Sequence, residues 1–403
     1  MKDRVILHCD CNSFFASVET VLHPEYKNVP MAVCGSQEDR HGIVLAKNEL
    51  AKKYNIQTAE TVYSAKKKCP NLVIATPHHT LYEEFSKKVN SIYARYTDMI
   101  EPFGIDESWL DVTKSNKLFG DGMTIAERIR NEVKQEIGIT VSIGVSFNKV
   151  FAKLGSDYKK PDAITEINRE NFKRIVYPLP VGDLLFVGKK TVNALEKLRI
   201  RTIGDLACAD QKMLETKFGK VGTTMYNYAG GYDDTPVCSA QNDDVKSIGN
   251  GFTFRRDLKT RDDFKAGIDY LSEEVGARLR KKGMKCSTVQ ITIKDEFLKC
   301  IQRQRSLRVA SDVSKDISDC AYEILLEEWD ESRPIRMLTV TATNLCYKDS
   351  YAEQIDIFNT DNEQRSKSRI KEETIDIIRQ KHGLASIMRC SVMNTDIGDF
   401  NKN

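Results

Sequence analysis

Two adjacent carboxylates, Asp106 and Glu107, stand inside an otherwise apolar stretch spanning residues 103–112. Unpaired carboxylates repel each other and resist removal from water, and a divalent cation relieves both costs. The turn residues Pro102 and Gly104 precede the pair, so we predict a β-hairpin whose second strand begins at the acids. A solvated turn is the ordinary alternative, and this stretch alone does not decide between the two.

A third carboxylate follows a second apolar stretch. Residues 5–10 are typical of a buried strand, and they end in Asp10. Asn12 or Ser13 is then predicted to cap a helix, whose free backbone N–H groups suit a phosphate. The apolar face of this helix is expected to carry Phe15, Val18 and Leu22. Magnesium prefers a few carboxylates together with substrate phosphates, and two such ions can assist both the attacking and the leaving oxygen.

The two motifs, at residues 10–16 and 104–108, resemble those of the Y-family DNA polymerases, in particular the DNA polymerase IV type. The resemblance implies that Asp10 and Asp106 bridge two Mg²⁺ ions. It also implies that the backbone carbonyl of Cys11 helps to bind the nucleotide-side ion. Glu107 would complete the site for the ion that activates the primer 3′-hydroxyl.

The bulk composition sets outer limits on the kind of protein. A chain of 403 residues is expected to form two to four domains, and 40% hydrophobic with 30% charged residues is typical of a globular protein. A net charge of only +3 means that any nucleic-acid surface depends on clustered basic residues. The 11 cysteines lack paired metal-site spacing and are interpreted as reduced thiols. We expect a monomeric, cytoplasmic, nucleoid-associated protein without a membrane segment.

The expected fold is α+β, with the domain layout of a right-hand polymerase. The order strand–helix–strand–strand–helix–strand predicts a ferredoxin-like palm, formed by residues 1–13 and 78–165. Residues 14–77 would form small fingers. Residues 142–157 closely match the family, which extends the resemblance beyond the two acidic motifs.

The resemblance also implies the contacts to the incoming nucleotide. Phe14 and Phe15 would lie against the nucleotide, with the ring of Phe15 excluding a ribose 2′-hydroxyl, and Lys160 would contact the triphosphate.

The fingers depart from the polymerase IV pattern, because Glu49 and Lys52 replace the usual Tyr and Arg. Residues 47–52 are more similar to the polymerase V catalytic subunit. We favour phosphate contact for Lys52. For Lys47, the first lysine of this segment, phosphate contact and ordinary surface charge are equally good explanations.

Residues 166–240 are predicted to form a helical thumb. Within them, residues 187–206 resemble a helix-hairpin-helix, in which backbone N–H groups at a glycine turn bind a DNA phosphate. The predicted contacts are Gly188, Lys189 and Lys190. One glycine of the usual turn is missing, so two packed helices with a tight turn are the alternative.

Residues 245–348 show strand alternation and resemble the little finger, the additional DNA-binding domain of the family. Arg303 and Arg305 share one face of a predicted strand, and Arg255 lies in the first strand of the domain. We interpret these arginines as phosphate contacts to primer-template DNA. A solvated charged face is the alternative.

The tail, residues 349–403, contains an apolar cluster in polar surroundings. Its motif resembles the bacterial sliding-clamp motif and consists of Gln354, Ile355, Ile357 and Phe358. An exposed apolar cluster of this kind needs a partner to bury it. The alternative is a short strand that docks on its own protein.

The predicted function is a template-directed, error-prone translesion DNA polymerase that adds deoxynucleoside triphosphates to a primer and has no proofreading activity. Another palm-fold nucleotidyl transferase or a nucleotide cyclase would share the metal chemistry but would not need the thumb, the little finger or the clamp motif. A non-catalytic, clamp-bound DNA scaffold would share those parts but would not need the acids.

Overall fold

The computed structural model describes residues 4–36, 42–238, 245–348, 361–383, 386–393 and 395–397, with side chains described from residue 367 onward in the last helix. The chain divides into two compact units. The first consists of Met1–Gly35 and Ile43–Asp243, and the second of Ser36–Gly42 and Asp244–Asn403.

Strands and helices alternate through the first unit, and four long strands dominate the second. The described strands are β1 Ile6–Cys11, β2 Met31–Cys34, β3 Val44–Lys47, β4 Val73–Ala75, β5 Ile100–Pro102, β6 Glu107–Asp111, β7 Val141–Ser146, β8 Ile164–Ile167, β9 Ser247–Leu258, β10 Met284–Asp295, β11 Cys300–Ser311 and β12 Ile335–Tyr347. The described α-helices are α1 Phe14–Leu22, α2 Glu49–Lys52, α3 Val62–Lys68, α4 His79–Tyr93, α5 Asn116–Phe119, α6 Gly122–Glu132, α7 Lys149–Tyr158, α8 Phe172–Val176, α9 Lys189–Glu196, α10 Ile203–Ala207, α11 Gln211–Phe218, α12 Lys220–Ala229, α13 Arg261–Lys281, α14 Ser314–Glu328 and α15 Asp361–His382.

The central sheet of the first unit has the strand order β5-β6-β1-β7-β8. Strand β1 is antiparallel to both of its neighbours, and β8 runs parallel to β7 at the edge. Strands β7, β1, β6 and β5 therefore have the ferredoxin-like order predicted for the palm, with β8 as an addition. Helices α4 and α6 pack on this sheet through buried side chains such as Val89, Ile92, Ile125 and Ile129.

The start of α1 differs from the expectation. Neither candidate cap acts as one, because Ser13 lies in the left-handed conformation without a side-chain capping bond and the Asn12 side chain bonds elsewhere. Phe14 and Val18 are buried as part of the palm core, but Leu22 is 42% exposed. The buried face of this short helix thus ends a turn earlier than the apolar pattern predicted.

A second, smaller sheet follows α1 in the chain. Its order is β3-β2-β4, with β2 antiparallel to β3 and parallel to β4. Residue 47 is the last of β3, and Asn48 caps the four-residue helix α2 by accepting a bond from the backbone N–H of Ala51. This sheet and its helices have their own apolar core, which includes Val44, Ile56 and Val62.

Helices α8–α12 form a bundle whose core also includes Val150, Phe151 and Leu154 of α7. Helix α10 begins with a reciprocal capping box between Thr202 and Asp205, which fixes the turn after α9. Phe186 has φ +67, so it adopts the left-handed conformation at the turn where the sequence lacks a glycine. The hairpin therefore forms without the expected glycine.

The second unit contains an antiparallel sheet with the order β11-β10-β12-β9. Helices α13 and α14 share one apolar core with this sheet. Along β10, Val289, Ile291 and Ile293 are buried, as the alternation predicted. Thr288, next to Val289, is also only 3% exposed, at the point where the register shifts between Cys286 and Thr288.

The C-terminal segment docks on α13 and α14 through charged side chains. Arg280 of α13 donates to Asp376 of α15 at 2.6 Å and also pairs with Glu372. Glu273 accepts from Arg379 at 2.8 Å and from Arg389 at 2.7 Å. Helix α15 and the segment after it are thus part of the second unit.

Candidate active site

The central feature of the candidate site is a set of three carboxylates at the ends of adjacent strands. Asp10 of β1 lies directly opposite Glu107 of β6 in the antiparallel register. The backbone N–H of Cys11 donates to the carbonyl of Asp106 at 3.0 Å, which fixes the hairpin against β1. The predicted hairpin, formed by β5 and β6, is therefore present and brings the acids beside Asp10.

These acids line a cavity of about 430 Å³. The other predicted nucleotide contacts, Phe14, Phe15, Lys52 and Lys160, line the same cavity. Asp10 is only 5% exposed. The structure thus collects around one cavity the side chains that the resemblance assigned to metal and nucleotide.

Two lysines neutralise the acids in this arrangement. Lys160 Nζ lies 2.6 Å from Asp10 Oδ2, and Lys153 Nζ lies 2.6 Å from Glu107 Oε2. Lys153 also lies 4.0 Å from Asp10 Oδ2. Our sequence analysis did not identify Lys153 as a site residue. Its position on α7, four residues before Asp157 and on the same helix face, was the available signal.

Burial gives the three acids unequal proton affinities. It raises the pKa of Asp10 to about 7, and it also raises the pKa of Asp106. Burial has the same tendency at Glu107, but hydrogen bonds from His8 and Lys153 outweigh it and lower the pKa of Glu107 to about 2. Buried carboxylates with raised pKa values are stabilised as anions by a nearby cation.

The donor set fits Mg²⁺. Among the residues that the structure describes, no group of three or more His, Cys, Asp or Glu side chains is arranged so that it could hold a metal ion by itself. Magnesium is usually held by one or two carboxylates together with water and substrate phosphates, so an open, carboxylate-lined cavity matches its preference. Asp10, Asp106 and Glu107 are the side chains here that could bind it.

A buried histidine, His8, lies beside Glu107. The Nδ1 atom of His8 lies 2.8 Å from Ser156 Oγ, and its Nε2 atom lies 3.3 Å from Glu107 Oε2. Burial lowers the pKa of His8 to about 4, so the ring is neutral near neutral pH. His8 was missed from the sequence. Its position two residues before Asp10, on the same face of β1, could have revealed it.

The two predicted aromatic residues differ in their surroundings. Phe14 is 3% exposed and belongs to the palm core. Phe15 is half-buried and stacks on Tyr82 with ring centroids 4.1 Å apart. The hydroxyl of Tyr82 donates to the buried carboxylate of Glu19 at 2.5 Å. Phe15 is thus fixed on one face while it lines the cavity.

Asn12 links the cavity to the turn that carries Lys160. Its Oδ1 atom accepts from the backbone N–H of Asp162 at 2.8 Å and from the Thr140 hydroxyl at 3.0 Å. Its Nδ2 atom donates to Ser142 Oγ at 2.8 Å. These partners are 128 to 150 residues away in the chain, so our sequence analysis had no signal for this role.

The predicted phosphate contacts of the thumb lie at the start of α9. Gly188 is the N-cap residue without a side-chain capping bond, and an added Cβ there would meet no atom within 4 Å. Lys189 and Lys190 are exposed. The start of α9 therefore has free space around the Cα of Gly188 and two exposed lysines in its first turn.

Two of the predicted little-finger contacts are at least partly exposed but already paired with carboxylates. Arg303 donates to Glu328 of α14 at 2.7 Å, and Arg305 pairs with Glu323 and Glu327 of the same helix. These two arginines share a strand face, as predicted, but this face is turned towards α14. Their contact with DNA phosphates stays a prediction without support from this placement. Arg255 is exposed.

The candidate clamp motif, Gln354, Ile355, Ile357 and Phe358, lies outside the described residues. No helix in the described part of the chain is both long and apolar enough to cross a bilayer.

Comparison with known proteins gives a consistent family assignment. Residues 9–157 match the impB/mucB/samB family, and residues 245–357 match the C-terminal domain of that family. The chain is 50% identical to DNA polymerase IV of Acetivibrio thermocellus over 389 residues, which cover 96% of both chains. The chain belongs to the DNA polymerase IV group of the Y-family DNA polymerases.

Further matches agree with this assignment. DNA polymerase IV of Clostridium kluyveri is 38% identical over 385 residues, covering 94% of this chain and 96% of the relative. The fold is similar to that of a Y-family DNA polymerase chimera, Dbh-Dpo4(243-245)-Dbh, with a TM-score of 0.76 and 24% identity over 85% of this chain and 99% of the other. The predicted right-hand polymerase fold is thereby confirmed.

Membership of the DNA polymerase IV group also decides between the function classes left open by the sequence. The relatives are DNA-directed DNA polymerases, and this chain covers nearly their whole length. The prediction of a DNA-directed polymerase with a role in translesion synthesis is confirmed. A nucleotide cyclase and a non-catalytic DNA scaffold are not supported.

Proposed function

We propose that this Y-family polymerase extends a primer 3′ end by two-metal phosphoryl transfer, copies damaged templates with low fidelity and lacks proofreading. One observation carries the proposal: Asp10 and Glu107 are directly paired across two strands, with Asp106 adjacent, in a cavity that Phe15 and Lys160 also line. Bound Mg²⁺ would supply activation of the primer hydroxyl and stabilisation of the departing pyrophosphate.

The metal ligands in this proposal are Asp10, Asp106, Glu107 and the backbone carbonyl of Cys11. Asp10 and Asp106 would contact both ions, and Glu107 would contact the ion on the primer side. The raised pKa of Asp10, about 7, supports this role, because a buried carboxylate gains most from a cation. His8 and Lys153 would hold Glu107 as an anion aimed into the cavity.

The nucleotide-binding residues would work on different parts of the substrate. Phe15, stacked on Tyr82, would press against the deoxyribose and leave no room for a 2′-hydroxyl. Phe14, in the palm core, would support the ring of Phe15. Lys160 would pair with the triphosphate together with a lysine of the fingers, whose ammonium would act as a point charge.

We propose these functional boundaries: palm 1–13 and 78–165, fingers 14–77, thumb 166–240 and little finger 245–348. DNA would be held by the start of α9, through Gly188, Lys189 and Lys190, and by basic residues of the little finger such as Arg255. The free space at Gly188 and the absence of a capping side chain support backbone phosphate contacts, which position DNA without reading its sequence.

We further propose that residues 354–358 bind the bacterial sliding clamp, and that the enzyme acts as a monomer at the nucleoid in the cytoplasm. Gln354 would supply an orienting hydrogen bond, and Ile355, Ile357 and Phe358 would fill an apolar cleft of the clamp. Clamp binding would raise processivity through effective concentration. Alanine at Ile357 and Phe358 should remove clamp stimulation and leave clamp-free extension unchanged. Persisting stimulation would reject this role.

The experiment that tests the polymerase proposal is extension of a 5′-labelled primer on a defined template over a Mg²⁺ titration. We expect templated addition that stops in chelator, elevated misinsertion and continuation past an abasic site. A primer with a mismatched 3′ end should be extended or left intact. Shortening of that primer by the purified chain would contradict the absence of proofreading, and Mg²⁺-independent extension would contradict the metal chemistry.

A further inference from the structure

We propose that Lys47, rather than Lys52, is the fingers lysine that binds the triphosphate of the incoming nucleotide. The inference rests on the proposed function, since it takes the cavity beside Asp10 to be the nucleoside triphosphate site. Family resemblance pointed to Lys52 and left Lys47 undecided. The structure separates the two lysines by the charges around them.

Lys47 is the last residue of β3, where it pairs with Ala32 of β2. The side chain is half-buried and lines the same cavity as Asp10, Phe15 and Lys160. A residue held by a strand register has a better defined position than one on an isolated helical turn. Lys47 is therefore well placed to bind a ligand in the cavity at a fixed point.

The partner of Lys47 is neutral. Its Nζ atom donates to the hydroxyl of Thr58 at 3.1 Å, and no carboxylate in the described part of the chain lies within ion-pair distance of it. The other lysines of the site are already paired. Lys52 lies 2.5 Å from Glu49, Lys160 lies 2.6 Å from Asp10, and Lys153 pairs with Glu107.

Glu49, the ion-pair partner of Lys52, also distinguishes the surroundings of Lys52 from those of Lys47. This carboxylate, at the position where DNA polymerase IV relatives carry a Tyr, also accepts from Ser13 Oγ at 3.3 Å. It lines a neighbouring cavity, together with Asn12 and Thr20, rather than the one that contains Asp10. Lys52 is thus neutralised by a carboxylate outside the nucleotide cavity, and a triphosphate would have to compete with that carboxylate.

The surroundings of Lys47 favour an anion. Burial lowers its pKa and the positive charge of Lys52 lowers it further, and the opposing charges of Glu60 and Glu49 only partly offset these two effects. The lowered pKa expresses a cost of keeping an ammonium in the cavity wall, and a multiply charged phosphate would offset that cost. A hydrogen bond from the ammonium to a charged phosphate is also stronger than the bond to the uncharged Thr58 hydroxyl that would be exchanged.

The test compares Lys47→Met with Lys52→Met in single-nucleotide extension by the full-length chain. For Lys47→Met we expect the dNTP KM to rise about tenfold, and the inhibition constant of pyrophosphate to rise with it, since a charged hydrogen bond is removed. DNA affinity and thermal stability should be unchanged. Lys52→Met should shift the KM by less than about threefold. Lys47→Arg should restore binding, and Thr58→Val should leave the KM unchanged.

The other possible outcomes would overturn either the inference about Lys47 or the proposed function. An unchanged KM in Lys47→Met, or a larger effect in Lys52→Met, would overturn the inference while wild-type extension keeps the proposed function intact. A loss of DNA affinity with normal KM would assign Lys47 to the template instead and would also overturn it. If the Met variant does not fold, Lys47→Gln, which can still bond Thr58, gives the same comparison. A wild-type chain that cannot extend a primer would overturn the proposed function itself.

Discussion

Asp10 and Glu107 face each other across β1 and β6 as directly paired residues of an antiparallel register. In a strand pair, such residues are close neighbours, so two carboxylates here repel each other unless cations lie between or beside them. Lys153 and Lys160 supply those charges in the structure, at 2.6 Å from one acid each. The strand pairing thus creates a site that needs positive charge, and the proposed chemistry uses Mg²⁺ for that purpose.

Phe15 should control sugar selection. Phe15→Ala opens the cavity wall where the ring stacks on Tyr82, so we expect ribonucleotide incorporation relative to deoxynucleotide to rise about tenfold, or ~1.4 kcal/mol in the transition state. The measurement is kcat/KM for paired rNTP and dNTP substrates. Tyr82→Phe, which keeps the stacked ring and removes only the hydroxyl, is the matched control. An unchanged ratio in a folded Phe15→Ala variant would leave Phe15 as a core residue only.

Asn12 should act through the position of Lys160. Asn12→Ala leaves the Asp162 N–H and the Thr140 hydroxyl without their acceptor, which costs ~1–3 kcal/mol of stability. We expect a higher dNTP KM with unchanged DNA affinity, because the turn carrying Lys160 is loosened. Asn12→Asp keeps both acceptor bonds and should recover most of the effect. Equal effects of Ala and Asp on the KM would show that these two bonds do not matter.

Two pairs of basic residues should differ in their contribution to DNA binding. Lys189→Ala with Lys190→Ala should weaken binding and reduce the slope of log affinity against log salt by roughly 0.9 for each phosphate that the protein no longer neutralises. Arg303→Ala with Arg305→Ala should have a smaller effect, because both arginines are already paired with α14. Fluorescence anisotropy with primer-template DNA over a salt series measures both. The opposite ranking would restore the sequence-based assignment of Arg303 and Arg305.

Arg280 should anchor the C-terminal segment. Its side chain is 7% exposed and pairs with Glu372 and Asp376 of α15, so Arg280→Ala leaves carboxylates without their partner. Breaking a buried pair on one side costs ~3–5 kcal/mol. We expect a lower Tm for the little finger and faster proteolysis within the segment after residue 349. Lys371→Ala, at an exposed position of α15, is the control and should behave like the wild type. Equal stability of the two variants would show that the ion pairs do not hold the segment.

The sequence was sufficient to predict the strands that carry the acids, because hydrophobic alternation and turn residues are local properties. It could also place Arg303 and Arg305 on one strand face. The sequence could not show what this strand face is turned towards. That depends on ion pairs with Glu323, Glu327 and Glu328 of α14, which follows later in the chain. The network around Asn12 and the neutral partner of Lys47 likewise depend on the tertiary structure.

Some site residues were within reach of local patterns but were missed. His8 has the same strand face as Asp10, and a buried histidine beneath a candidate acid is a recognisable signal. Lys153 lies on α7 one turn before Asp157. By contrast, the periodicity of apolar residues alone could not show where the buried face of α1 ends. It also could not show that Asn48 caps α2.

The central claim is that Asp10, Asp106 and Glu107 form the catalytic metal site. The most direct measurement is single-turnover extension of a saturated primer-template by Asp106→Ala and by the wild type at equal Mg²⁺, with DNA affinity measured on the same preparations. We predict that extension by Asp106→Ala slows by about a thousandfold or more, equivalent to ~4 kcal/mol, while DNA binds with unchanged affinity. Extension by Asp106→Ala at near the wild-type rate would contradict the assignment of these carboxylates.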